Sequence, residues 1–98
     1  MIIEFQPQLG IPPRDYVMFW CTPCDTHHQV PVSGPKAWGF NGNLEKPTIT
    51  PSIKVMTEYR KTKPTKICHS NVTDGQIKYH EDCTHALAGK TVPLDEMP

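Results

Sequence analysis

Cys21-Thr22-Pro23-Cys24 places two thiols three positions apart on a segment short enough to be a tight turn. Two thiolates at that spacing can face one tetrahedral zinc ion at about 2.3 Å each. A redox dithiol is the other chemistry of this spacing, but it requires the motif to open a helix inside a βαβ unit. Here Asp25-Thr26-His27-His28-Gln29 leads to Pro31, with no helical stripe. The pair therefore reads as half of a zinc site.

The other ligands must come from the second half of the chain, where Cys68, His69, Cys83 and His85 lie. If 67–72 is a strand, neighbouring side chains point to opposite faces, so Cys68 and His69 cannot reach the same ion. Cys68 is the third ligand on this reading. The simplest closed site is Cys21, Cys24, Cys68 and Cys83; the alternative replaces Cys83 by His85, and His28 is a third candidate for the fourth place. Four protein ligands leave no position for substrate, so such an ion is structural. Asp82 reads as a cap for the turn after it, or as the acceptor that orients His85. His69 reads as a binding residue, and His27 and His80 as solvated.

The elements that must position these groups are mostly strands. Residues 1–15 read as an irregular, proline-rich lead-in with a short strand at 2–5. Tyr16–Trp20 is an apolar, aromatic run ending at Cys21, as in a buried strand. Residues 29–32 read as a return strand and 38–40 as a short edge. Pro47 and Pro51 exclude a helix and suit an extended edge segment. Residues 53–59 alternate as a half-buried strand, and 67–72 with 76–79 flank Thr73-Asp74-Gly75 as a hairpin. Residues 84–89 can form one helical turn, 91–94 a last strand, and 95–98 a frayed tail. The expected fold is mainly β: a small antiparallel sheet or sandwich stapled by a zinc knuckle, with at most one short helix, in a single domain spanning 1–98.

Composition supports a stapled domain. Only 37% of the 98 residues are hydrophobic and 11 are proline, a thin apolar complement for a chain this small. Ten basic and ten acidic residues cancel, which argues against a generic nucleic-acid coat or docking to an anionic membrane. No apolar run approaches the roughly 20 residues needed to span a bilayer. Met1-Ile2-Ile3-Glu4-Phe5 lacks the basic start of a secretory signal, so the expected compartment is the reducing cytosol, where thiols persist.

Cys21-Thr22-Pro23-Cys24 with His28, Trp38-Gly39-Phe40-Asn41, Pro47 to Ile53, Cys68-His69-Ser70, Asp74-Gly75 and Asp82 to Gly89 together resemble a family of small CxxC-containing, zinc-ribbon-like proteins of bacteriophages and prophages, of unknown function. The resemblance covers about residues 16–95 and implies a phage accessory protein made in the cytoplasm of its bacterial host. It also implies that serine can replace Cys83, which favours His85 as fourth ligand. Three functions follow. The first is a binding module for a host or phage protein, including a host defence component, or for a small polar ligand. It would use His69, Trp38 and the hydroxyls of Thr48, Thr50 and Ser52, which share a face if extended. The second is a metal-dependent hydrolase with an open His/Asp/Cys site. The third, not favoured by the charge balance, is nucleic-acid binding through Arg60, Lys61, Lys63 and Lys66 with Tyr59.

Overall fold

The computed structural model describes residues 2–57 and 65–96. The basic cluster from Arg60 to Lys63, with Tyr59, lies outside the described residues. Eight strands form: β1 (Ile3–Leu9), β2 (Arg14–Cys21), β3 (Thr26–Pro31), β4 (Gly39–Phe40), β5 (Ile49–Thr57), β6 (Lys66–Thr73), β7 (Gln76–Tyr79) and β8 (Thr91–Pro93). They make two antiparallel sheets, β1-β2-β3 and β4-β5-β6-β7-β8. The described residues contain no helix, and thus none long and apolar enough to cross a membrane.

Side-chain alternation decides what each sheet buries. In β2, Val17, Phe19 and Cys21 point inward; in β3, His28 and Val30 do; in β6, Cys68, Ser70 and Val72 do; in β7, Ile77 and Tyr79 do. These inward residues of both sheets join Ile3, Ile49, Ile53 and Leu94 in one core. Phe19 is fully buried at its centre. Phe19→Ala should cost about 3–5 kcal/mol. Urea unfolding should show this as a lower midpoint with an unchanged slope.

Two expectations need correction. The stretch 1–15 is not an irregular lead-in: Ile3 to Gln6 pair with Phe19 to Tyr16, and Leu9 with Arg14. Pro7 falls at the register shift between Gln6 and Leu9, and Pro12 and Pro13 in the connecting turn, so the prolines interrupt the ladder without preventing it. Residues 84–89 form bends and turns rather than a helical turn, with Ala88 N–H donating to His85 O at 3.2 Å and Lys90 N–H to Leu87 O at 3.0 Å.

The β6–β7 hairpin is closed by Asp74 and Gly75, both at positive φ, as a two-residue primed turn requires. A Cβ at Gly75 would also come within 3.2 Å of the Lys46 backbone. The β5 ladder is regular from Ile53 to Thr57 but shifts between Ile49 and Ile53. Ile49 faces Val72 and Ile53 faces Ser70, so three β5 residues, Thr50, Pro51 and Ser52, stand opposite Asn71 alone. Ile49 and Ile53, four residues apart, keep the same inward face across the bulge, and Ser52 next to Ile53 is half-buried.

Candidate functional site

β6 carries two sites, one on each face. On the inner face is a cluster of Cys21, Cys24, His28 and Cys68, whose ligand atoms all lie within 4.8 Å of one another. Cys21 closes β2, and Cys24 sits in the turn held by Asp25 N–H donating to Thr22 O at 3.1 Å. His28 comes from β3 and Cys68 from the other sheet. The Cys21 and Cys68 sulfurs are 3.8 Å apart. Two ligands of a tetrahedral ion at about 2.3 Å would themselves be about 3.8 Å apart. His28 is 4% exposed and its Nε2 has no hydrogen-bond partner. A buried ring nitrogen left unpaired is costly, and a metal ion would satisfy it. The hydrogen bond from the Cys68 thiol, against the cost of burial, holds Cys21 down at about 3, while burial and the nearby Cys21 charge push Cys24 up to about 11. Cys68 is likewise driven up by its hydrogen bond to Cys21 and by burial. One thiolate thus forms readily, and the others need a cation to balance them.

The four thiols do not gather around one point. Cys83 falls instead in a second group with Cys68 and His85. Its sulfur bridges the His69 backbone, accepting from N–H and donating to C=O at 3.2 Å each. His85 packs edge-on against Tyr79 and accepts from Leu87 N–H at 3.2 Å. His28 is thus the residue that joins Cys21, Cys24 and Cys68 in the four-membered group. Strand alternation in β3 is the signal that points it inward.

On the outer face, β5 and β6 present a second constellation. His69 Nε2 is 3.0 Å from Ser52 Oγ, and His69 Nδ1 is 3.2 Å from both carboxylate oxygens of Asp82. Asp82 follows β7 and serves His69, not His85. Partial burial works against its charge. The hydrogen bond from His69, the His69 charge and Lys54 outweigh that and hold the Asp82 carboxyl below its ordinary range. Lys54 Nζ lies 3.7 Å from Asp82, and Lys54 is the cross-strand partner of His69, so all share one face. His80 is not simply solvated. It stacks on the His69 ring with centroids 4.1 Å apart, its backbone N–H donates to His69 O at 2.8 Å, and its own Nε2 bonds Asn71 at 2.6 Å. The His69 ring is thereby fixed on both its edge and its face.

The hydroxyl face expected for Thr48, Thr50 and Ser52 is divided by the bulge. Thr48 Oγ1 accepts from Asp74 N–H at 3.0 Å and so pins the hairpin turn. Thr50 pairs with Gly39. Trp38 touches Ser52 through its backbone, Nε1 donating to Ser52 O at 3.3 Å. The cavity of about 490 Å³ beside the Cys/His cluster is lined by Cys24, His28, Cys68 and His85 but by none of Ser52, His69 and Asp82. The Cys/His cluster and the serine constellation are therefore separate sites on opposite faces of one strand.

Fold and site define a class: a small two-sheet β domain with a Ser–His–Asp hydrogen-bonded series outside and a Cys/His cluster inside. The family model described as bacterial ubiquitination-like system serine protease (BubE) matches residues 5–80, and the chain belongs to that family. The match includes Ser52 and His69 and ends two residues before Asp82. The family description names a bacterial ubiquitination-like system rather than the phage setting that the resemblance implied. No curated protein and no solved structure matches the chain.

Proposed function

We propose that this chain is a serine protease that cleaves an amide-type bond on a protein of a bacterial ubiquitination-like system. The observation that carries this is the series Ser52 Oγ–His69 Nε2–His69 Nδ1–Asp82, at 3.0 and 3.2 Å. It has the connectivity required to activate a serine: nucleophile, base and the carboxylate that orients the base. The family description supports both the reaction and its setting.

In this mechanism Ser52 Oγ attacks the scissile carbonyl while His69 Nε2 takes the hydroxyl proton. The amide C–N bond then breaks, and the leaving amine receives that proton from His69. The acyl group rests on Ser52 until water, deprotonated by the same Nε2, releases the acid and restores the serine. Asp82 accepts from Nδ1–H throughout, fixing the tautomer and stabilising the imidazolium. Zinc at Cys21, Cys24, His28 and Cys68 would supply structural cross-linking between the sheets. Its separation from Ser52 supports the serine reading over a metal-dependent hydrolase. The free thiols of all four cysteines suit a reducing bacterial cytoplasm. The binding-module reading used Ser52 and His69 as ligand contacts; their mutual hydrogen bond gives them a chemical role instead. Phage origin and action on a host defence protein have no separate support.

Asp82→Asn tests the reading. The side chain is on the surface, so the melting temperature should change little. The asparagine amide would stabilise the wrong tautomer of His69, and kcat for a fluorogenic peptide amide should fall by about 10²–10⁴-fold. A variant as active as the wild type would exclude Asp82 from the mechanism.

A further inference from the structure

β5 is paired with β4 only at Ile49 and Thr50. From Ser52 to Thr57 it has β6 on one side, and no described strand on the other. The direction of its free backbone groups follows from β6. The carbonyls of Ile67 and His69 bond the N–H groups of Thr84 and His80, away from β5. Ile67 and His69 therefore form the non-hydrogen-bonded pairs with Met56 and Lys54 in the antiparallel ladder. The N–H and C=O of Lys54 and Met56 consequently point out from the open edge. At the near end of this edge Trp38 Nε1 occupies the Ser52 carbonyl. At the other, the Met56 side chain stands on the triad face and is 51% exposed.

We infer that the open edge of β5 at Lys54 and Met56 binds the acyl side of an extended substrate segment by main-chain pairing, and delivers its scissile carbonyl to Ser52. This rests on the serine protease reading. The occupant is an unstructured tail or linker of a protein: a strand paired on both sides in its own sheet has no main-chain groups left to offer, and an edge strand would have to bring its whole folded domain up to Ser52. The polarity follows from the edge. β4 and Trp38 close the side beyond Ser52, so a paired segment can extend only towards Thr57. An antiparallel segment, the more stable pairing, then runs from Met56 to Ser52 and places residues preceding the scissile bond on the edge. Lys54 would join its backbone contact to the charge it already places beside Asp82. Met56 would offer an apolar contact to a substrate side chain two residues further out.

The experiment uses the zinc-loaded wild-type protein and a library of fluorogenic pentapeptide aminocoumarin amides. The member turned over fastest is remade with a single N-methyl group at each amide in turn. Alternate amides preceding the scissile bond should be intolerant, with kcat/KM down roughly tenfold or more, and the intervening ones tolerant, because only every second residue faces β5. In parallel, Met56→Pro removes one outward N–H and no β5–β6 bond, and should lower kcat/KM roughly tenfold. Uniform tolerance of methylation would overturn the inference. So would labelling of Ser52 by diisopropyl fluorophosphate with no peptide of the library cleaved, or activity lost through self-association along β5. Absence of that labelling would instead remove the serine protease reading beneath it.

Discussion

Ser52→Ala should leave a folded protein whose peptide hydrolysis is slower by about 10⁴-fold or more. The Ser52 side chain is half-exposed, and its hydroxyl bonds His69 Nε2. Its loss removes no core contact. What it removes is the nucleophile, and the barrier then reverts to that of water attack assisted by whatever the site still binds. A change of this size corresponds to about 5 kcal/mol or more in the transition state, beyond what one lost surface hydrogen bond explains, at about 0.5–1.5 kcal/mol. Circular dichroism and the melting temperature should match the wild type. His69→Ala should be about as slow as Ser52→Ala, and the double variant scarcely slower than either, because the two groups act as a unit.

Removing the metal should have the second large effect, and on the fold rather than on the chemistry. Zinc bound by thiolates can contribute about 10 kcal/mol or more of folding free energy, against a total stability of about 5–15 kcal/mol for a small domain. The cluster joins β2 and β3 of one sheet to β6 of the other at the centre of the core, where Cys21, His28 and Cys68 are buried. Without the ion, the unpaired His28 ring nitrogen and the crowded thiols oppose the packing of the two sheets. A strong chelator should abolish the near-ultraviolet dichroism of Trp20 and Trp38 and the cooperative melt together. Activity should disappear with them, because Cys68 and His69 are consecutive on β6 and cannot be placed independently. A melt unchanged by chelation would show that the sheets hold without the ion.

Much of the β architecture was legible because it depends on local rules. The apolar run into Cys21 gave β2, and Asp74-Gly75 between alternating segments gave the β6–β7 hairpin. Opposite orientation of Cys68 and His69 followed from the two-residue period of a strand, and that separation proved to be the plan of the molecule. The serine constellation was less accessible. Ser52, His69 and Asp82 were each visible, but their meeting depends on the pairing of β5 with β6 and on the path of the chain after β7. A regular strand would have put Ser52 in line with Thr48 and Thr50; the bulge detached it. Asp82 lies two residues from His80 and three from His85, and spacing alone cannot show that it turns back to His69. His28 was obscured for the opposite reason. It lies beside the cysteine turn, but only its inward phase in β3 separates it from the exposed His27.

The central claim is that Ser52 is a nucleophile activated by His69. Intact-protein and peptide mass spectrometry after treatment with diisopropyl fluorophosphate measures this most directly, since the reagent phosphorylates only an activated serine and needs no knowledge of the substrate. One adduct, mapped to Ser52, formed more slowly in Asp82→Asn and not at all in His69→Ala, is the expected result. A folded, zinc-loaded protein that remains unlabelled, or that is labelled at a residue other than Ser52, would contradict it.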